Sequence, residues 1–178
     1  MKKSVIGIVE SQAQAEALVT AIQATGVPSA DISVLFPDKQ GTKDFAHEHH
    51  TKAPEGAVAG VGAGGVLGGT IGLLAGIGAL AIPGVGPLIA AGPLMAALSG
   101  AAAGAAVGGV AGALVGLGIP ELEAKSYEGK IQGGNILIAA HVASDDAEKA
   151  AKRLFEQHKA HDIVVTSDAS VPKASKLA

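Results

Sequence analysis

Cysteine and tryptophan are absent from this sequence of 178 residues, and it contains one tyrosine and three phenylalanines. Without cysteine, the chain has no disulfide bond, no thiolate metal ligand and no cysteine nucleophile. The scarcity of aromatic rings removes the surfaces on which nucleic-acid bases stack. A net charge of −3 also removes the electrostatic attraction to a phosphate backbone. We therefore expect no nucleic-acid partner.

The familiar catalytic motifs are absent as well. The sequence has no Gly-x-Ser-x-Gly, no Walker loop and no His-Glu-x-x-His. Glu121 and Glu123 stand two residues apart, so they point to different faces of a helix, and the helix dipole at a helix start explains them better. The sequence therefore predicts a protein that is not an enzyme, with no cofactor and no small-molecule substrate.

Charge is missing from residues 56–120, which contain no Asp, Glu, Lys, Arg or His. Within this run glycine recurs at every fourth position in two ladders. The first ladder is Gly60, Gly64, Gly68, Gly72 and Gly76, and the second is Gly100, Gly104, Gly108, Gly112 and Gly116. Between the ladders Pro83, Gly84, Gly86 and Pro87 make a turn sequence that few helices cross. The ladders are symmetric about residue 88, which predicts two helices folded back at the turn 83–87.

The spacing of the glycines gives this predicted hairpin, residues 57–119, a physical basis. Residues four apart share one helix face, so each ladder makes a groove where another backbone can approach closely. Interior glycines cost a helix about 0.8–1.0 kcal/mol each relative to alanine, and close packing must offset that cost. Residues 57–82 would form a helix of about 39 Å, enough to cross a hydrocarbon core of ~30 Å. We predict a glycine-zipper hairpin that spans a lipid bilayer.

Basic residues near the hairpin favour one orientation in that membrane. Lys43, Lys52, Lys125 and Lys130 lie on flanks that a hairpin places on the same side, as the positive-inside rule requires for a cytoplasmic face. The short apolar run Val5–Val9 does not match a secretory signal. We expect an inner-membrane protein with both flanks cytoplasmic. The alternative is a cytoplasmic assembly in which zippers from several subunits bury one another.

The flanks predict one small α+β domain in two halves, residues 1–46 and 121–167. Each half contains a strand, a helix and a strand. The predicted elements are Val5–Val9, a helix capped by Ser11, Ile32–Phe36, a short helix after Pro120, Asn135–His141, a helix capped by Ser144, and Ile163–Thr166. Two such units make a ferredoxin-like sandwich, which is a four-stranded antiparallel sheet with two helices on one face. The hairpin would interrupt this domain at its middle connection.

A polar lead-in, residues 47–56, contains the candidate metal ligands His47, His49 and His50. In a helix His47 and His50 would share a face, and Glu48 could add an oxygen ligand. A histidine cluster beside a membrane is more often a solvated segment, so we predict no dedicated metal site. Residues 168–178 are predicted to be a disordered tail.

Three stretches carry a resemblance to a known family. They are the run from His47 to Ala57, the turn from Ala81 to Pro87, and the segment from Gly118 to Lys130. In these the chain resembles a bacterial family labelled low-temperature-induced or general stress protein, whose ferredoxin-like domain is split by a glycine-zipper hairpin. The resemblance covers nearly the whole chain. It implies a membrane-associated, stress-linked protein and no catalytic residues.

Two hypotheses of different class follow. In the first, the hairpins associate through their glycine grooves into membrane-embedded homo-oligomers that have a structural, membrane-remodelling or pore-like role. In the second, the chain is a soluble self-assembling particle or filament with the hairpins packed inward. A third option is a non-catalytic subunit of a respiratory quinol oxidoreductase, because the chain is similar in topology to the two-span subunit of alternative complex III.

Overall fold

The computed structural model describes residues 2–38, 74, 78–82, 86–100 and 105–167. Six strands and five helices lie in these ranges. The strands are β1 (Lys3–Val9), β2 (Ile32–Pro37), β3 (Gly78–Ile82), β4 (Gly86–Ala91), β5 (Ile136–Val142) and β6 (His161–Ser167). The helices are α1 (Gln12–Ala24), α2 (Pro93–Gly100), α3 (Ala105–Gly116), α4 (Glu121–Gln132) and α5 (Asp145–Gln157). A single 3₁₀ turn, Ser29–Asp31, precedes β2.

The strands form one antiparallel sheet in the order β3-β4-β2-β5-β1-β6. At its centre β1 pairs with β5 along its whole length, from Lys3 opposite Val142 to Val9 opposite Ile136. The strand–helix–strand units β1-α1-β2 and β5-α5-β6 therefore interleave, because β5 lies between β1 and β2. The predicted mixed α+β class is confirmed.

Helices α1 and α5 begin where the sequence predicts, and for the predicted reason. The Ser11 hydroxyl accepts a hydrogen bond from the Gln14 amide at 3.3 Å, and the Ser144 hydroxyl accepts one from the Ala147 amide at 3.2 Å. Each bond satisfies one of the amides that a helix start leaves without a partner. The Gln14 side chain accepts in turn from the Glu10 amide at 3.2 Å, one residue before the cap.

One face of the sheet is covered by α1 and α5. Leu18 and Ile22 of α1 and Phe155 of α5 are fully buried against inward-facing residues of β1, β2 and β5. Phe155 lies over Gly7, where an added Cβ would come within 2.8 Å of the Phe155 ring. A side chain at position 7 would therefore displace α5 from the sheet.

The other face is covered by helices α2, α3 and α4. Their buried residues include Leu94, Leu98, Leu114, Tyr127 and Ile131, which pack on Ile6, Ile8, Leu35, Leu88 and Leu137 of the sheet. The described part of the chain therefore has three layers, with the sheet between two groups of helices. Residues 86–119, which the sequence assigns to a separate hairpin, contribute to the same core as the flanks.

The predicted helical conformation is wrong for the described residues next to the turn 83–87, whereas residues 93–100 and 105–116 of the second predicted arm are helical. Strands β3 and β4 lie next to the turn, and they pair antiparallel with Ile82 opposite Gly86. The chain does reverse its direction at the predicted position, but the segments that it joins are strands. Gly86 has φ +94, and Pro87 is the second residue of β4.

The sheet explains why strands form here. Strand β4 pairs with β2 on the side opposite to β5, with Val34 opposite Ala91 and Pro37 opposite Leu88. Residues 88–91 are buried on both faces, so their sequence is a continuous apolar run, and periodicity cannot distinguish such a run from a buried helix.

The second predicted arm is also interrupted. Helix α3 contains Gly109 with φ 56 and ψ −156, which is not helical. Among the described residues no helix is both long enough and apolar enough to cross a bilayer. Several predicted positions lie outside the described residues: the whole first ladder (Gly60, Gly64, Gly68, Gly72, Gly76), Gly104, Pro83, Gly84, His47, His49, His50 and the tail 168–178.

Candidate functional site

The end of the second glycine ladder lies on the surface. Gly112, Val115 and Gly116 form what we call the α3 glycine face; all three are exposed, and Val115 is 42% exposed. A Cβ added at Gly112 or Gly116 would meet no atom within 4 Å. Leu122, at the start of α4, is 84% exposed and lies close in sequence. This surface has the smooth backbone that a second helix needs for close approach.

Helical periodicity turns these glycines outward. Val110, Ala113 and Leu114 recur at spacings of three and four and are buried on the sheet side of α3. Residues 112, 115 and 116 must then lie on the opposite side. The sequence predicts correctly that Gly112 and Gly116 share one face, but within this chain that face does not pack on another helix of the described residues.

A carboxylate from α4 holds the break in α3. Glu128 Oε2 accepts a hydrogen bond from the Ala111 amide at 2.6 Å. That amide follows the non-helical Gly109, so it belongs to the first turn of the second half of α3 and has no carbonyl partner one turn earlier. The negative charge also interacts favourably with the positive end of this half-helix.

A chain of buried hydrogen bonds links three strands to α2. His141 of β5 has Nδ1 2.7 Å from Ser4 Oγ of β1 and Nε2 3.0 Å from Ser33 Oγ of β2. Ser33 Oγ accepts from the Leu94 amide at 3.0 Å, in the first turn of α2. We call Ser4, Ser33 and His141 the serine–histidine relay.

The serine–histidine relay has a structural role. Ser4 is 2% exposed and Ser33 is fully buried, so a substrate has little access to either hydroxyl. A Ser–His pair is the arrangement of a nucleophile and its base, but such chemistry needs an accessible hydroxyl. In this site the imidazole lies within hydrogen-bond distance of both buried hydroxyls, and Ser33 connects the strands to α2 through the Leu94 amide.

Ion pairs and the Tyr127 side chain connect β6 to α4 and α5 to β1. The Tyr127 hydroxyl donates to the Asp162 carbonyl, and the Lys130 ammonium pairs with the Asp162 carboxylate. Lys3 contacts Asp145 at 2.8 Å and Glu148 at 2.6 Å in the first turn of α5. The hydrogen bonds that Lys3 donates to these carboxylates raise the pKa of Lys3, and its ammonium lowers the pKa of Asp145.

Tyr127 gives a testable alkaline transition. Burial, followed by the negative charge of Glu123, raises the pKa of Tyr127 above its usual value near 10. A raised pKa in the folded state contributes stability that is complete below about pH 10 and is lost as the pH rises through the folded-state pKa. Because Tyr127 is the only tyrosine and tryptophan is absent, we expect near-ultraviolet tyrosinate absorbance to appear only together with the loss of helical circular dichroism.

The control for that titration is Tyr127→Phe, which should show no tyrosinate signal. It should also lack the part of the alkaline transition that comes from the phenol. Tyrosinate absorbance that titrates near pH 10 in a fully folded chain would contradict the burial of Tyr127.

An open cleft of about 480 Å³ lies between the end of α1 and the start of α5. Val27, Val142 and Ala147 are among its lining residues, and Lys2 and Asp31 form an ion pair of 3.3 Å beside it. Because these two charges satisfy each other, the pair adds little net charge for binding an ion.

The predicted and observed site residues overlap in part. Gly112 and Gly116 are placed together on the α3 glycine face, Gly100 ends α2, and Gly108 lies before the break in α3. Of the predicted turn residues, Gly86 and Pro87 lie in β4. Within the described part of the chain, no three His, Cys, Asp or Glu side chains come together as a metal site.

Sequence reasoning did not identify the relay or the Gly109–Glu128 contact. A usable signal existed for the relay, because Ser33 stands between Ile32 and Val34 and His141 stands between Ala140 and Val142. A polar side chain in a strand that is buried on both faces must find a partner. For Gly109 and Glu128 the sequence contains no comparable signal.

No family model, curated protein or solved structure matches this chain.

Proposed function

We propose that this chain is a non-enzymatic, stress-linked protein that associates with a membrane and assembles with further copies of itself through its glycine ladders. The observation that carries the proposal is the α3 glycine face: an uncharged helix surface of two glycines and one valine, pointing away from its own core. The lack of catalytic motifs and the burial of the serine–histidine relay support a role that is not catalytic.

The scaffold for this role is, we propose, a ferredoxin-like sandwich. Support comes from the strand order β2-β5-β1-β6, with α1 and α5 on one face, which is the order expected of two interleaved strand–helix–strand units. The uncharged insertion adds β3 and β4 at the edge and covers the second face with α2 and α3. Its glycines at 112 and 116 then face outward.

The proposed occupant of the α3 glycine face is the same face of a second copy. Close helix packing requires smooth surfaces on both partners, and the chain supplies such a surface itself. Val115, at 42% exposure, would be removed from water by the contact. The α3 glycine face carries no charge, so two copies of the face would not repel each other.

Leucine at Gly112 and Gly116 tests the contact. We expect Gly112→Leu and Gly116→Leu to fold as stably as the wild type, because a Cβ at either position meets no atom within 4 Å. We also expect both variants to shift the assembly to smaller species, since the new side chains would hold a second helix away. The measurement is sedimentation velocity of the full chain, in buffer and in detergent.

The matched control is Gly129→Leu. Gly129 is an exposed helical glycine of α4, and a Cβ added to it also meets no atom within 4 Å, but it lies off the α3 glycine face. This variant should assemble like the wild type. If Gly112→Leu and Gly116→Leu assemble like the control, the face is not the interface.

Membrane association needs its own experiment, because a soluble particle with inward-packed glycine segments is the alternative. The full chain is expressed and the cells are lysed without detergent. The membranes are then washed at high pH and floated on a density gradient. Flotation after the wash supports insertion, whereas a soluble species of high mass supports the particle.

A further inference from the structure

The break in α3 has the properties of a conformational latch. Gly109 has φ 56 and ψ −156, a region of backbone space that is essentially restricted to glycine. Glu128 lies against this residue: a Cβ added to Gly109 would come within 3.1 Å of Glu128 Oε2. The same oxygen accepts the hydrogen bond from the Ala111 amide at 2.6 Å. Backbone conformation and carboxylate position therefore depend on each other.

A straight α3 and the bond to Glu128 exclude each other. In an uninterrupted helix the Ala111 amide would donate to the carbonyl of residue 107, four positions earlier. Glu128, which is half-buried, would then lose that donor. The broken form lacks helical backbone hydrogen bonds near Gly109 but has the charge-assisted hydrogen bond from the Ala111 amide to Glu128. The two forms therefore differ by only a few interactions, all of them near Gly109.

We propose that Gly109 and Glu128 form a latch that regulates self-assembly. The inference rests on the proposed function of the α3 glycine face. With the latch closed, the break at Gly109 separates Gly108 from Gly112 and Gly116. With the latch open, residues 105–116 form one helix, on which Gly108, Gly112 and Gly116 share a continuous face, as the spacing of four requires.

Two substitutions are expected to open the latch, one in α4 and one in α3. Glu128→Ala removes the acceptor of the Ala111 amide, and Gly109→Ala introduces a residue that cannot adopt the broken conformation. Glu128→Gln is the conservative variant, because its amide oxygen can still accept the hydrogen bond but carries no charge. We expect its effects to lie between those of the wild type and Glu128→Ala.

The first readout is amide hydrogen exchange of the full chain in buffer. In Glu128→Ala and Gly109→Ala we expect the amides of residues 110–114 to exchange about tenfold more slowly, because a straight helix gives these amides carbonyl partners one turn earlier; a tenfold change corresponds to about 1.4 kcal/mol. Amides of β1 and β5 should keep their wild-type rates. Gly112→Ala is the control, since it makes the same glycine-to-alanine change in α3 where a Cβ meets open space; it should change the rates at residues 110–114 less than the two latch variants do.

The second readout is assembly, measured by sedimentation velocity at a series of protein concentrations. We expect Glu128→Ala and Gly109→Ala to assemble at concentrations about tenfold lower than the wild type requires. In the double variant Glu128→Ala/Gly112→Leu this gain should be lost, because the leucine blocks the face that the open latch completes.

The outcomes separate the latch from the function on which it rests. Exchange that accelerates equally in β1, β5 and α3 would show global destabilisation and overturn the latch. Unchanged exchange at residues 110–114 would also overturn it. Slower local exchange with wild-type assembly would leave a local latch in place but overturn its regulation of assembly. If neither the wild type nor any variant assembles, the proposed function fails, and the regulation fails with it.

Discussion

We expect Gly92→Ala to lower the free energy of unfolding more than alanine at the other glycines would. Gly92 joins β4 to α2 with φ +73, and an added Cβ would overlap the Ile32 carbonyl oxygen and lie 2.8 Å from the Ile32 carbonyl carbon. These are backbone atoms of β2, which is paired on both sides and cannot move alone. The expected loss in the free energy of unfolding is roughly 2–6 kcal/mol, the sum of backbone strain and forced displacement.

Gly26→Ala separates the two causes of that loss. Gly26 also has a positive φ, +92, but a Cβ there would meet no atom within 4 Å. We therefore expect this control to lose about 1 kcal/mol from strain alone. Urea unfolding followed by circular dichroism measures both variants. Equal losses in the two variants would mean that α2 is not packed against β2 as described.

Alanine at Ser33 is expected to weaken the attachment of α2 to the sheet. The change removes the acceptor of the buried Leu94 amide and one contact of His141 Nε2. A buried amide that loses its acceptor costs about 1–3 kcal/mol, so the expected loss in the free energy of unfolding is roughly 1–3 kcal/mol. Hydrogen exchange gives a local readout, because the Leu94 amide should lose protection more than the amides of α1.

Ser126→Ala is the control for that experiment. Ser126 is exposed on α4, so removal of its hydroxyl should change stability by less than about 0.5 kcal/mol. A Ser33→Ala variant as stable as this control would contradict the relay as a structural connection between the sheet and α2.

Local sequence signals determined most of the two flanking halves. Ser11 and Ser144 cap the predicted helices, Leu18 and Ile22 lie on the predicted buried side of α1, and Gly26 ends that helix with a positive φ. These features depend on residues only a few positions apart, and their patterns contrast polar with apolar side chains. Such contrast is what a sequence can show without knowledge of the fold.

The uncharged run offers no such contrast, and only the tertiary structure decided its conformation. A strand buried on both faces and a helix buried on all sides are both apolar throughout. Whether such a run forms a strand or a helix therefore depends on the elements against which it can pack. For residues 86–91 the partner is β2, which takes β4 as its neighbour. For residues 110–114 the partner is the second face of the sheet, which draws Val110 and Leu114 inward and leaves Gly112 outside.

By itself, the sequence therefore determined the composition and spacing of the glycine ladders, the location of the chain reversal, and the caps and buried stripes of the flanks. The tertiary structure decided which glycines face outward, that Gly109 breaks α3 beside Glu128, and that Ser4, Ser33 and His141 meet. The reason is physical. Each of these outcomes depends on a contact between residues 17 or more positions apart, such as Ala111 with Glu128, and no local pattern encodes the energy of that contact.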